Sequence, residues 1–241
     1  MKKKHIVQFS NGAASAWVAW WVLQNFLKED VILLNHDPGA EHPDGKRFQR
    51  QVSEFLGHSV TVVSNDKDLW QVIAEHNCLP SFHIPFCTED LKLKPAEKFY
   101  KSIEEPFIQY NGFGCDEWPR VQRATIRAES IGRTVKSPLF ELGRGSDWAK
   151  QVIRDEWKIC LPEPYQYLQH NNCIPCFKGG KGHFLQVAKY YPAEYEKACQ
   201  MEELVEYTVF KDCTLRELKE RIDQNQLEIF NDHGIPCMCA N

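Results

Sequence analysis

The sequence predicts an α/β protein: a Rossmann-like parallel sheet with helices on both faces, followed by a helical, cysteine-bearing C-terminal part. Three observations carry this. Short apolar runs alternate with helix-length segments from His5 to His76, and strands separated by helices of that length pair in parallel through right-handed crossovers. The run Val31-Ile32-Leu33-Leu34 is continuously apolar, as a strand covered on both faces must be. After about residue 145 the strand signals stop, and proline- and glycine-rich loop gives way to helices.

The elements follow in order. His5 to Phe9 reads as a strand, Ser10 to Ala14 as a small-residue turn, and Ser15 to Lys28 as an apolar helix with Trp17, Trp20 and Trp21 at core spacing. After the second strand, Pro38-Gly39 opens a loop. Asp44 to Leu56 is helical and stops at Gly57, Ser59 to Val63 is a third strand, and Asp66 to His76 a third helix. Pro80 to Thr88 reads as loop, Lys94 to Ile103 as helix, Pro106 to Asn111 as a fourth strand, and Trp118 to Ile131 as helix. Pro138-Leu139-Phe140 is expected to be a short strand. Ser146 is the expected N-cap of a helix to Trp157. Leu161 to Gly182 is loop, and helices follow at His183 to Tyr190 and Ala193 to Val205. Thr214-Leu215-Arg216-Glu217 is a capping box opening a helix to Asn225. The expected organisation is an α/β core over residues 1–145 and a helical region over 146–241, packed on it as one unit.

The net charge of −4 argues against a broadly basic, nucleic-acid-coating surface, although 29 lysines and arginines leave room for a local basic groove. No apolar run reaches the length of a membrane span, and the basic start Met1-Lys2-Lys3-Lys4 lacks the long apolar stretch of a signal peptide. A cytoplasmic protein without membrane contact is expected. Ten cysteines in such a setting point to metal or redox chemistry rather than disulfides.

The strongest local signal is Phe9-Ser10-Asn11-Gly12-Ala13-Ala14-Ser15-Ala16, between the first strand and helix. Small residues let backbone approach a ligand closely. Amides at a helix N-terminus favour an anion, and the Ser10 and Ser15 hydroxyls can add donors. The segment resembles the PP-loop S-G-G-x-D-S of the adenine nucleotide alpha-hydrolase superfamily, and more closely the S-G-G-A-A-S form in PAPS-reductase-like proteins of bacteria and phages. Asn11 replaces the first glycine, and Ala14 stands in place of the aspartate. His36-Asp37-Pro38-Gly39-Ala40-Glu41-His42-Pro43 is similar to the family's D-T-G-x-x-[FH]-P segment, which meets the nucleotide; Asp37, Gly39 and Glu41 are its candidates here. Cys87-Thr88-Glu89-Asp90-Leu91-Lys92-Leu93-Lys94-Pro95 resembles C-x-x-x-[RL]-K-x-x-P, with Lys92 as the basic catalytic position. Gly114 to Arg123 looks like G-x-x-x-[DE]-x-x-R, with Arg120 and Arg123 as phosphate or sulfate ligands.

The resemblance covers most of residues 5–205. It implies an adenine nucleotide ligand: PAPS, APS, or ATP with Mg2+. Cys173-Ile174-Pro175-Cys176 can grip one metal centre from a single turn. With Cys87 it matches the cysteine spacing that holds a 4Fe–4S cluster in APS reductases, zinc being the alternative. The fourth ligand is open between Cys160, Cys237, Cys239 and none. The tail cysteines Cys237 and Cys239 hold the chain position of the reductase nucleophile. The implied function is sulfur chemistry beside the cluster, either sulfonucleotide reduction or ATP-dependent sulfur transfer. Its partners would be an adenylated substrate and a thiol reductant or sulfur-donor protein, with a nucleic-acid acceptor and a homodimer both open. The rivals are a non-catalytic nucleotide sensor, a partner subunit of a modification or defence complex, and a zinc-stabilised interaction protein.

Overall fold

The computed structural model describes residues 2–223. Five strands form one all-parallel sheet: β1 (Lys4–Gln8), β2 (Val31–Asp37), β3 (Val60–Ser64), β4 (Phe107–Tyr110) and β5 (Thr134–Lys136), in the order β3-β2-β1-β4-β5. The chain starts at the centre, winds outward through β2 and β3, then returns to the other side of β1. The loops leaving β1 and β4 therefore diverge, and open sheets of this kind hold a crevice at that point, outside the strands' carboxyl ends.

Strand pleating sends neighbouring side chains to opposite faces, and both faces are covered. Val7 and Leu33 enter a cluster with α1 (Ala13–Asn25) and α2 (Pro43–Leu56), whereas Ile6 and Leu34 enter one with Ala96 and Tyr100. All four are fully buried, each worth roughly 1.5–3 kcal/mol. Helix α1 is apolar around its circumference because the sheet lies on one side and a later helix on the other. Trp17 meets Trp148 edge-to-face at 5.1 Å, so the tryptophan stripe is core. Gly57 ends α2 in the left-handed conformation, φ 58°.

Helix α3 (Leu69–His76) opens on an Asp68–Gln71 capping box. The expected loop before Lys94 is helical from Phe86: α4 (Phe86–Thr88) continues through a π-helical turn, Glu89–Leu93, into α5 (Lys94–Tyr100). Pro95 cannot donate to the Leu91 carbonyl, and the winding widens just ahead of it. After α6 (Trp118–Ser130) comes the second correction. Pro138-Leu139-Phe140 is not a strand but part of a helical turn, α7 (Pro138–Glu141), with Pro138 at the first turn where no N–H is needed. The fifth strand is Thr134–Lys136 just upstream, a segment only three residues long.

Gly145, not Ser146, caps α8 (Ser146–Gln151), which runs into a π-turn, Val152–Glu156. Helices α9 (Lys181–Tyr190), α10 (Pro192–Val205) and α11 (Leu215–Asp223) follow. Thr214 and Glu217 form the expected reciprocal capping bonds, at 3.1 and 2.8 Å. Packing crosses residue 145 in both directions. Ala149, Val152 and Ile153 join the α1 cluster, while Leu69, Trp70, Phe86 and Leu91 share a core with α9 to α11. No helix among the described residues is long and apolar enough to cross a membrane.

Candidate functional site at the sheet crossover

The loop from β1 to α1 is built by Asn11. It is 3% exposed and sits at φ 56°, in the left-handed region that asparagine tolerates better than most residues. Its side chain accepts from Gln49 Nε2 at 3.0 Å and donates to Glu41 Oε2 at 3.3 Å, and its carbonyl accepts from Asn171 Nδ2 at 2.8 Å. Asparagine thus supplies both the backbone shape of a glycine and a tether to the β2 loop. Gly12 is the N-cap of α1 and brings no side-chain cap, and no acidic residue lies in the first turn. The positive end of that helix is therefore presented largely as bare amides. The Ser15 hydroxyl is spent inside the loop: it donates to the Gly12 carbonyl at 2.9 Å and accepts from the Ser10 amide at 3.1 Å. Tyr165 leans over the loop, its hydroxyl accepting from the Ala13 amide at 3.3 Å.

Opposite, Gly112 follows β4. A Cβ there would lie 2.7 Å from the Ser15 amide nitrogen and 3.0 Å from the Ala14 carbonyl carbon. Only glycine lets the two strand-end loops close this tightly. Gly112→Ala is expected to cost about 1–3 kcal/mol by overpacking against backbone, measured as a fall in thermal midpoint, and to splay the loop that faces the cavity.

Between these loops lies a cavity of about 130 Å3 lined by Ser10, Gly12, Ala14, Ser15, Gly112 and residues from four other segments. Three buried side-chain polar atoms have no hydrogen-bond partner among the described residues: His36 Nε2, Arg120 Nε and Asn171 Oδ1. All three residues line this cavity. Buried polar atoms are otherwise almost always paired, so three around one void mark a place where a polar ligand or water belongs. Glu41 and Lys92 also line it, 3.9 Å apart, with side chains 8% and 17% exposed. Burial pushes the Glu41 carboxyl up to about 7 against the pull of Lys92, so the carboxyl can carry a proton near neutrality. Burial, then Lys92, holds His36 down at about 3, which keeps it neutral. Arg120 stacks over Phe113 at 4.4 Å and pairs with Glu117.

The cysteines are joined to this cavity through Lys92. Cys87, Cys173 and Cys176 line one small pocket of about 20 Å3, and Lys92 lines both spaces. Two ties bring the segments together. Glu41 and Cys173 form an isolated antiparallel bridge, with the Ile174 amide donating to the Ala40 carbonyl at 2.9 Å. Lys178 donates to Thr88 Oγ1 at 2.6 Å, beside Cys87. His183 Nε2 accepts from the Cys176 amide at 3.0 Å, and burial lowers the imidazole to about 4, which keeps that nitrogen an acceptor. No disulfide joins these cysteines. Among the described residues, no group of three or more His, Cys, Asp or Glu is placed so that it could hold a metal ion.

Of the residues singled out in the sequence, Ser10, Gly12, Ala14, Ser15, Glu41, Lys92 and Arg120 line the cavity, while Asn11 and Ala13 lie in the same loop, bonded to Glu41 and Tyr165 of the lining. Asp37 and Gly39 do not line it: Asp37 caps the Gly39 amide at 2.9 Å and pairs with Lys46 at 2.8 Å. Arg123 is exposed and also lies outside it. Cys160 lines a separate surface pocket with Asp44 and Arg47. Cys237 and Cys239 lie outside the described residues. The sequence reading missed His36, Gly112, Tyr165 and Asn171. His36 stood one position before the chosen aspartate, and Gly112 directly after the fourth strand; Tyr165 and Asn171 sit in irregular loop with no local signal.

The fold and site define an α/β protein with a polar, cation-bearing cavity at the crossover of a doubly wound parallel sheet. No family model matches the chain. It is 29% identical over 202 residues to an uncharacterized nin region protein, ORF290, of Escherichia phage lambda, covering 72% of this chain. The chain spans 66% of that relative's length.

Proposed function

We propose that this chain is a PAPS-reductase-like enzyme of the adenine nucleotide alpha-hydrolase superfamily, which binds an adenine nucleotide at the Ser10–Ser15 loop. The observation that carries the reading is the convergence of three unsatisfied buried polar atoms, of His36, Arg120 and Asn171, on one cavity beside bare helix amides. The enclosed volume suits a sulfate or phosphate group rather than a whole nucleotide, so the adenosine would extend toward the open mouth. The loop amides would hold the anion, Lys92 and Arg120 would balance its charge, His36 Nε2 would donate to it, and Asn171 Oδ1 would accept from a hydroxyl or amino group of the nucleotide.

A 4Fe–4S cluster fits the donor chemistry of the neighbouring pocket. Cys87, Cys173 and Cys176 would hold it, as soft thiolates suited to iron–sulfur or zinc. Such a cluster would supply sulfur or electron chemistry next to the anion. Lys92, facing both spaces, would keep the transferring group oriented. In the reductase form, a tail thiolate of Cys237 or Cys239 attacks the sulfonucleotide sulfur, forming an S-sulfocysteine and expelling the nucleotide; a thiol of the reductant then attacks the cysteine sulfur, and the two thiols are oxidised to a disulfide as sulfite leaves. In the sulfur-transfer form, ATP adenylates an acceptor with loss of pyrophosphate, and sulfur from a sulfur-donor protein then displaces AMP. Anaerobically purified protein is expected to bind PAPS or ATP in calorimetry. Sulfite release from PAPS identifies the first form, and AMP with pyrophosphate from ATP the second. Binding without turnover of either would make it a sensor, and no binding of either would end the proposal.

A further inference from the structure

A second, larger cleft of about 690 Å3 opens beside the cysteine pocket. Lys94, Lys98 and Lys101 enter from α5 and its C-cap, Arg127 from α6 and Lys178 from the cysteine loop, against two acids, Glu89 and Glu97. Glu97 already pairs with Arg133 on its far side, at 2.6 Å, and Lys94 with Asp90, at 2.5 Å, which leaves Lys98, Lys101, Arg127 and Lys178 against Glu89. The cations are therefore in excess here, although the whole chain carries −4.

Their spacing is ordered. Lys94, Lys98 and Lys101 stand at i, i+4 and i+7, and Arg120, Arg123 and Arg127 at i, i+3 and i+7. Each set shares one helix face, with steps of roughly 4.5–6 Å along the axis. The second row leads from the cavity, lined by Arg120, to the cleft, lined by Arg127. Phe82, 37% exposed, lines the same cleft. Leu93 borders both cleft and cavity, and Thr88 and Lys178 border both cleft and cysteine pocket.

We infer that this cleft binds single-stranded nucleic acid, its phosphates following the cation rows and a base stacking on Phe82. Rows of cations with an aromatic platform are the features that hold single strands without sequence choice. A strand lying there ends beside the cysteine pocket, which makes it the acceptor in the sulfur-transfer form of the proposed function. That role rests on the nucleotide-site reading; the binding itself does not.

The test uses the full chain and a short fluorescein-labelled single strand, followed by anisotropy across a salt series. Wild type is expected to bind with a log–log salt dependence. The triple variant Lys98→Gln, Lys101→Gln, Arg127→Gln removes three exposed cations. It should weaken binding about tenfold or more and flatten the slope by about 2, since each phosphate contact on a single strand contributes about 0.7. Calorimetric affinity for ATP or PAPS should not change. Failure to bind at low salt, or equal binding by the variant, overturns the inference. Equal competition by poly-glutamate at matched charge overturns it too, and assigns the cleft to an acidic protein. A wild type that binds the strand but no adenine nucleotide leaves the cleft standing and removes the nucleotide site; the opposite pattern does the reverse.

Discussion

Cys173→Ser, Cys176→Ser is expected to leave anaerobically purified protein colourless and free of iron, where the wild type should be brown with a broad absorbance near about 400 nm. The two residues are half-buried and line one pocket with Cys87. Serine keeps their shape to within one atom, but a hydroxyl is a hard donor that stays protonated at neutral pH, and soft metal centres need thiolate. The bridge between Glu41 and Cys173 and the Cys176–His183 bond both run through backbone of the cysteine loop, so they survive the substitution. The protein should therefore fold, and adenine nucleotide affinity should fall far less than iron content. Iron retained by the double variant would place the cluster on other cysteines. Zinc in the wild type, with no iron, would replace the cluster by a structural metal.

The sheet was legible because burial on two faces imposes a residue pattern that no loop shares. Val31 to Leu34 and His5 to Phe9 declared themselves as strands, and Gly57 as a helix end, within a few residues of where they stand. Thr134–Lys136 was not legible: three residues at a sheet edge carry too little apolar content to rise above their neighbours, and the proline after them drew the assignment downstream. The site was half legible. Loop residues contiguous with a strand end, such as Ser10 to Ser15, carry a local signal. Asn171 and Tyr165 reach the cavity from a loop whose path is fixed by contacts far away in sequence, among them Asn171 to the Asn11 carbonyl. Asp37 stands apart from these. An acidic residue at a strand's carboxyl end is a natural ligand contact, yet here its oxygens close a turn at Gly39 and meet Lys46.

His36 gives the largest expected pH effect. Its Nε2 is buried without a partner among the described residues, and burial, followed by Lys92, lowers the imidazole from 6.5 to about 3. The sign follows from proton counting. Below pH 6.5 the unfolded chain takes up a proton that the folded chain refuses until about pH 3, so stability from this group is complete above 6.5 and drains away as the pH falls. The limit of that loss is roughly 5 kcal/mol. His36→Gln keeps a polar side chain and removes the titration. The difference in unfolding free energy between wild type and variant should therefore change steadily between pH 6.5 and 3, in favour of the variant, and be flat above 7. A constant difference would mean that His36 is not buried as a neutral ring. The same proton reports on the cavity. An anion docked beside His36 favours imidazolium, so nucleotide binding near pH 5.5 should take up protons in wild type, seen as a buffer-dependent heat in calorimetry, and should not do so in His36→Gln. Binding heat with no buffer dependence in the wild type would place the anion away from His36, and with it away from the three polar atoms that define the cavity.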